Sequence, residues 1–467
     1  MKISFHGAAR TVTGSKHLIQ LDNGKRILLD CGLFQGLGKD TMPLNKDWGF
    51  QPSEVDVMVL SHAHIDHVGL VPKLVGDGFQ GKIWCTEATA DLARILMRDS
   101  GRIQEGDVEF INRKRKKEGR PEIDPLYTEA DAKEALERFE TIDYETEVEI
   151  LQGVKLILKD AGHLLGSASV HLAITENDKT THLSFSGDIG RYHDAILRAP
   201  GDFKQADYVV MESTYGDKLH ELTLPAANEL LKWIEHTCLE KGGKLVIPSF
   251  AVGRTQELLY QLNRLDLEKR LPDLKYYVDS PLSIDATEII KRHPECFNEH
   301  VERTLRVDDD VFDFKGLEYI KSQEESMALN DRNEPCVIIS SSGMAEAGRV
   351  KHHIAQVIGS AKNSILMVGY CEPRSLGGQL KSGAKEVGIF GKEFQVNAEV
   401  GAISSMSAHG DFDDLLRWLS SQEPEQVKKL FLVHGEYEVQ QVFAKKLETR
   451  GYREVIIPEQ HSAYELN

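Results

Sequence analysis

Three histidines and an aspartate fall within six residues in Ser61-His62-Ala63-His64-Ile65-Asp66-His67-Val68-Gly69, directly after the apolar run VDVMVL. Side chains two apart on an extended chain share one side, and a turn into a helix can bring the fourth and fifth positions round to the same pocket. Imidazole nitrogens and a carboxylate at this spacing suit Zn²⁺ and can serve two ions, and no cysteine lies nearby to suggest a structural thiolate site. Clustering for solvation or packing at a strand end is the plainer explanation, and so dense a set of ligating side chains argues against it. Two further candidates close later apolar runs, Gly162-His163 after VKLILKDA and Gly187-Asp188 after THLSFS. Alone, either is an ordinary turn residue. Their order after the first cluster changes that weighting.

Such donors need rigid strand ends to hold them. Short β-rich runs dominate the start of the chain (KISFHG, HLIQL, RILLD, DVMVLSHAHIDH), each bounded by Gly, Asn-Gly or Pro signals. A polar, helical stretch over about 86–147 follows, after which VKLILKDAGH, SASVHLAI and THLSFSGD resume the strand pattern. From about 205, apolar strands alternate with amphipathic helices: ADYVVMEST, LPAANELLKWIEHTCLEKG, GGKLVIPSF, GRTQELLYQLNRL, LKYYVDSP, CVIISSSGM, EAGRVKHHIAQVIG and NSILMVGY. That alternation predicts a mostly parallel α/β sheet. From about 395 come VNAEVGAISS, a helix through DFDDLLRWLSS, the strand KKLFLVHG and a helix beginning near Glu436.

The 467 residues, 41% of them hydrophobic, suffice for two cores, or for one large domain with an insertion. Six cysteines stand singly at 31, 85, 238, 296, 336 and 371, which fits a reducing compartment. The start, MKISFHGAARTVTG, lacks signal-peptide features, and no apolar stretch is long enough for a bilayer, so a cytoplasmic protein with no membrane partner is expected. A net charge of −18 argues against indiscriminate adhesion to polyanions but leaves room for a local basic groove beside positive metal ions. Arg113, Lys114, Arg115, Lys116, Lys117 and Arg120 form the best local candidate, against the plainer reading of a solvated helix face or loop.

The run His62, His64, Asp66, His67 matches the HxHxDH signature of the metallo-β-lactamase superfamily, and the chain resembles that family also at Asp30 in ILLDCG, His163 in GHLLGSAS and Asp188 in FSGDIG. The resemblance implies that His62, His64 and His163 hold one zinc, that Asp66 and His67 belong to the other, and that Asp188 bridges them. Asp30 is similar to an outer aspartate that orients a ligating imidazole. Because one such site serves hydrolases of lactams, thioesters, lactones and phosphodiesters alike, the branch must come from elsewhere.

Glu212 in MESTYGD, His409 in SAHGD and His434 in LVHGE resemble motifs A, B and C of the β-CASP nucleases, and PSFAVGRTQELL and SSSGMAEAGR resemble further stretches of that family. The implied architecture is α/β: a metallo-β-lactamase αββα sandwich over 1–205 and 395–467, with an inserted α/β β-CASP domain over 206–394. The family likeness assigns His434 to the second zinc, His409 to the general acid and Glu212 to its hydrogen-bonding partner. Without it, each is more simply structural. Retention of a histidine at motif C resembles the RNA-directed group, since DNA-directed relatives carry an apolar residue there.

Arg254 follows a strand and opens a helix, where a guanidinium and free amides can hold a phosphate; Ser340-Ser341-Ser342-Gly343 precedes another helix and lets backbone amides approach an anion. An ion pair and a helix cap are the plainer explanations. The function implied is a zinc-dependent ribonuclease with two Zn²⁺ per chain, acting endonucleolytically on single-stranded RNA, with 5′-exonuclease activity also occurring among relatives. In that mechanism Asp66 and Asp188 hold the metals that provide the nucleophile, and His409, which meets the substrate, protonates the leaving 3′ oxygen. A thioester or lactone hydrolase and a noncatalytic RNA-binding subunit are the rival readings; the insertion opposes the first and the intact ligand set the second. Homodimerisation is plausible only by family likeness.

Overall fold

The structure is a computed structural model that describes residues 1–220, 226–369, 371–403 and 406–467. Leu224 and Pro225 of the helix expected at LPAANELLKWIEHTCLEKG, Tyr370 of NSILMVGY, and Ser404 and Ser405 of VNAEVGAISS lie outside the described residues. The chain forms two compact units, residues 1–219 with 409–467, and residues 220–408.

In the first unit, alternation of apolar residues decides which face of each strand is buried. One seven-stranded sheet runs in the order Ala463–Glu465, Lys2–Gly7, Lys16–Gln20, Arg26–Leu29, Val57–Val59, Lys82–Cys85, Phe139–Thr141. A second runs Val455–Ile456, Lys429–Val433, Tyr208–Glu212, Lys179–Phe185, Ala168–Glu176, Val154–Asp160, Glu147–Leu151. Ile3, Phe5, Ile27, Leu29, Val57 and Val59 of the first sheet pack against Leu156, Val170, Leu172, Leu183, Phe185, Val210 and Phe431 of the second. The alternate residues Val209, Met211, Leu430 and Leu432 face the other way and are covered by Leu415, Trp418, Phe443 and Leu447 of two helices, Phe412–Trp418 and Tyr437–Glu448. Sheet on sheet with helices outside is the αββα arrangement expected.

The second unit has a six-stranded sheet in the order Leu317–Tyr319, Lys275–Val278, Cys336–Ser340, Lys244–Pro248, Ser364–Met367, Glu399–Ala402. Every pairing in it is parallel, as strand–helix alternation demands. Val246, Ile338 and Ile365 of neighbouring strands bury against Val350, Ile354 and Val357 of the helix Val350–Val357.

Both unit bounds lie further along the chain than the 206 and 394 read from pattern. Tyr208–Glu212 is hydrogen-bonded between Lys179–Phe185 and Lys429–Val433 in the first unit, whereas Glu399–Ala402 pairs with Ser364–Met367 in the second. Period and polarity reveal a strand but not which sheet will accept it. The stretch 86–147 resolves into the helix Glu87–Lys117, the helix Glu129–Ala135 and the edge strand Phe139–Thr141. Among the described residues no helix is long and apolar enough to cross a membrane.

Phe5 joins the two sheets of the first unit, its ring centroid 5.0 Å from that of Phe431 and 5.3 Å from that of His17. Phe5→Ala is expected to lower stability by about 3–5 kcal/mol, the cost of an aromatic-sized cavity in a close-packed core. Urea denaturation measures it, and a loss below about 1 kcal/mol would contradict the packing described.

Candidate metal centre and active site

The donor residues all leave strands at one end of the first unit's sandwich. Leu29 and Val59 stand in parallel register, so Asp30 and Ser61 emerge side by side, and the short helix Ile65–Val68 then turns Asp66 and His67 back toward the same point. Phe185 pairs with Val210, and Glu212 with Val433, which sets Asp188, Glu212 and His434 at neighbouring strand exits. Gly32 permits the close approach of the two loops: a Cβ there would lie 1.6 Å from the carbonyl oxygen of Asp66. His434 holds a left-handed backbone, φ 47°, with its amide donating to the carbonyl of Ala8 at 2.7 Å. Such strain persists where the surroundings fix it and is common at functional sites.

Two groups of donors result. His62, His64, His163 and Asp188 converge on one point, and Asp66, His67 and His434 on another. In the first, Nδ1 of His64 lies 3.1 Å from Nε2 of His62 and 3.1 Å from Nε2 of His163. Ser61 Oγ donates to Asp30 and so must accept from Nδ1 of His62, 3.0 Å away, which leaves Nε2 of His62 with a lone pair aimed at the cluster. One proton on His64 cannot satisfy two facing nitrogens. A shared cation can, and nitrogens bound to a tetrahedral zinc at about 2.0–2.1 Å stand about 3.3 Å apart.

The second group makes the same case. His67 donates from Nδ1 to Asp30 at 2.7 Å, and its Nε2 faces Oδ1 of Asp188 at 3.3 Å. Although burial opposes it, the two carboxylates raise the pKa of His67 well above its ordinary value, so this pair calls for positive charge, which a cation would supply in place of the proton. Nε2 of His434 lies 3.3 Å from Oδ2 of Asp66, and Thr214 Oγ1 meets Nδ1 of His434 at 3.1 Å while donating to its carbonyl. Asp188 reaches both groups, its Oδ2 3.6 Å from His62 and 3.5 Å from His163 and its Oδ1 3.6 Å from His434. The donor set therefore fits a divalent metal site, with Asp188 within reach of both groups.

Burial pushes His62 and His163 far below their ordinary pKa and His64 down to about 4, so these imidazoles are neutral and ready to ligate. The same burial opposes ionisation of Asp66 and Asp188, but the neighbouring histidines, His434 foremost, hold both carboxylates below their usual range.

Beside the donors, Nδ1 of His409 lies 3.1 and 3.2 Å from the two oxygens of the fully buried Glu212. Glu212 also accepts from the backbone amides of Ile189, at 2.6 Å, and Thr214. Although Asp188, Glu212, His409 and His434 are close enough to form a further ligand group, these bonds commit Glu212 to orienting His409. Burial works against protonation of His409, yet Glu212, followed by Asp188 and Asp66, raises its pKa to about 9. Positive charge at the metal positions opposes that rise.

The structure thus brings together Asp30, His62, His64, Asp66, His67, His163, Asp188, Glu212, His409 and His434. Arg254 and Ser340 to Gly343 belong to the second unit. There, Pro248 pairs with Ser340, so the loops that follow leave neighbouring parallel strands, and Gly343 fits against Phe250 where a Cβ would clash at 2.7 Å. Arg254 is buried with its guanidinium on Glu257, which makes the plainer ion-pair reading right in kind but buried rather than superficial. Ser340 donates to the carbonyl of Asp279 and Ser341 meets Ser280, both at 2.7 Å, so hydroxyls expected to face an anion serve internal contacts. Ser342 bonds within its own loop, to Ala347. Ser61, Thr214, and Ser167, which caps the amides of His163 and Leu164, are functional neighbours that the sequence reading passed over; their only signal is adjacency to the motifs.

Comparison with known proteins matches residues 13–231 to the metallo-β-lactamase superfamily, 255–380 to the Beta-Casp domain and 393–458 to a Zn-dependent metallo-hydrolase RNA specificity domain. The chain is 36% identical over 451 residues to ribonuclease TTHA0252 of Thermus thermophilus, covering 97% of each protein. It belongs to the β-CASP family of the metallo-β-lactamase superfamily. An RNase J-like protein of Methanocaldococcus jannaschii is 32% identical, covering 93% of this chain and 92% of that one. The transcription termination factor FttA of the same organism is 31% identical over 93% of this chain and 67% of its own length. This β-CASP protein is accordingly a metallo-hydrolase in fold and in donor set.

Asp30 accepts four hydrogen bonds, from the Ser61 amide and hydroxyl, Ser15 and His67. Asn tolerates the positive φ of 58° at this position, so Asp30→Asn tests charge and acceptor capacity without breaking the turn. Zinc affinity, measured by chelator competition, is expected to fall by about 10–100-fold. Unchanged affinity would remove Asp30 from any orienting role.

Proposed function

We propose that this protein is a zinc-dependent ribonuclease that hydrolyses phosphodiester bonds within single-stranded RNA, binding two zinc ions per chain. The observation that carries the reading is the His409–Glu212 pair standing beside a bridged double donor cluster. Kinship with a protein named as a ribonuclease and with an RNase J-like protein, together with the match to an RNA specificity domain, favours RNA as the polymer.

Metal ions would be held by His62, His64, His163, Asp66, His67, His434 and Asp188, and would supply Lewis acidity and an activated water. The chain's own groups do the rest. Asp30 and Ser61 hold His62 and His67 in the tautomers that present Nε2 inward. Glu212 accepts from Nδ1 of His409, so the transferable proton sits on Nε2, and its carboxylate stabilises the imidazolium before transfer. Proton donation to the leaving 3′ oxygen gives a 3′-hydroxyl and a 5′-phosphate. In the second unit, Arg254 and the loop Ser340 to Gly343 are assigned to the substrate's phosphates because they leave carboxyl ends of parallel strands, where open α/β sheets bind ligands. A phosphate contact by Arg254 requires Glu257 to give way.

His409→Ala is expected to keep its zinc and its RNA affinity while single-turnover cleavage falls by on the order of 10²–10⁴-fold. Full activity, or zinc lost in step with rate, would show that His409 has another role. The wild-type protein should cut an unstructured RNA much faster than DNA of the same sequence at matched salt, because the 2′-hydroxyl is what separates the two polymers. Equal cleavage of DNA would overturn the RNA assignment, and mapping of product ends checks for internal cuts.

A further inference from the structure

The helix Glu87–Lys117 has 31 residues, and Gly101 is the last that is buried. From Arg102 onward one side of it is covered by the chain returning toward Thr128. Asn112 exchanges two hydrogen bonds with the backbone of Ile123, Arg115 Nε donates to the carbonyl of Pro121 at 2.5 Å, and the amide of Leu126 donates to Gln104. Positions 104, 112 and 115 share that face by helical spacing. The opposite face, through Ile103, Phe110, Lys114 and Lys117 at the same spacing, is exposed: Phe110 is 72% and Ile103 50% accessible.

Charge on this arm is not self-compensated. Arg113 pairs with Glu109 and Arg120 with Glu118, but among the described residues Lys114, Lys116 and Lys117 meet no carboxylate partner, in a chain whose net charge is −18. A favourable interaction with the helix dipole accounts for cations in a last turn. It does not account for the nearly bare aromatic ring one turn before them, which a merely solvated face would lack. A flat ring flanked by unpaired lysines is the chemistry that binds a single-stranded nucleic acid, with bases stacking on the ring and phosphates pairing with the amines.

We propose that this outer face of the helix, centred on Phe110, Lys114 and Lys117 with Lys116 beside it in the last turn, is a docking surface for single-stranded RNA remote from the cleavage site. It rests on the reading that RNA is the substrate and adds where a long substrate is gripped. Distance gives the proposal its edge. Thr89, near the start of the helix, donates to the carbonyl of Gly166 in the loop that carries His163. At a rise of about 1.5 Å per residue, Lys116 lies about 40 Å further along the axis. A stacked strand at about 3.4 Å per nucleotide needs about a dozen nucleotides to span that. Only RNA longer than this reaches both places.

The test uses the full-length, zinc-loaded protein, the triple variant Lys114→Gln/Lys116→Gln/Lys117→Gln, and Phe110→Ala, with melting curves confirming the fold of each. Affinity for unstructured RNAs of roughly 30 and roughly six nucleotides is measured by fluorescence anisotropy, and cleavage KM on the same RNAs. The triple variant is expected to bind the long RNA on the order of tenfold more weakly near 0.1 M salt, with the slope of log affinity against log salt reduced by about 2. Phe110→Ala is expected to weaken long-RNA binding about fivefold or more with the slope retained. The KM for the short RNA should move less than about twofold. Wild-type affinity and slope for the long RNA in both variants would overturn the proposal. So would equal weakening for both lengths, or an altered oligomeric state by light scattering with RNA affinity unchanged, which would make the face a protein contact. A wild-type protein that binds but never cleaves RNA would sink the proposed function instead, because long-RNA affinity still reads the arm.

Discussion

Burying three neutral imidazoles with their lone pairs pointed at one another, beside two ionised carboxylates, is unfavourable in the absence of a cation. The first unit is organised around that constraint. Between Asp188 and Asp30, His67 is driven to carry a positive charge well above its ordinary pKa, a charge that a cation at the same place would supply instead. The surrounding hydrogen bonds do not soften the conflict. They fix it in place, with Asp30 tying Ser61, and through it His62, to His67, and with Thr214 turning His434 inward. A donor set held this rigidly selects for ion charge and spacing before any substrate arrives.

The rigidity comes from the sandwich. Phe5, Val59, Phe185, Val210 and Phe431 lock the sheets together immediately beneath the strand exits that bear the donors. Side chains on strand ends inherit the positional precision of the core, whereas the same residues on long loops would not. The His409–Glu212 pair is supported in the same way. A β-bridge joins Gly190 to His409, and the amide of Gly410 donates to the carbonyl of Ile189 at 2.7 Å, so the imidazole is fastened by backbone as well as by Glu212.

Legibility followed the range of the interactions. The HxHxDH cluster was readable because its residues are neighbours in sequence, and the alternating apolar runs revealed the strands that support them. Asp30, His163, Asp188, Glu212, His409 and His434 became readable as a set only through family resemblance, since each alone looks like a turn or cap residue. Sheet membership was the part that local pattern could not carry. Tyr208–Glu212 and Glu399–Ala402 read alike as strands, yet parallel pairing partners more than 200 residues away in one case, and only about 35 in the other, assign them to different units. Proximity to a helix start does not say which way a side chain turns, and here Arg254 meets Glu257 and Ser340 the carbonyl of Asp279.

The first unit is discontinuous in the chain, and that has a consequence for how the protein comes into being. Lys2–Gly7 pairs with Ala463–Glu465, and Tyr208–Glu212 takes Lys429–Val433 as its neighbour. The donors themselves range from His62 to His434, with His409 close to the last of them. Synthesis proceeds from the amino terminus, and domains fold as units once their chain is available. A nascent chain that has already exposed its HxHxDH cluster therefore still lacks one wall of the second sheet, the donor His434 and the His409 that pairs with Glu212. The donor cluster can close only once the chain has been made through His434, with the whole second unit synthesised before it.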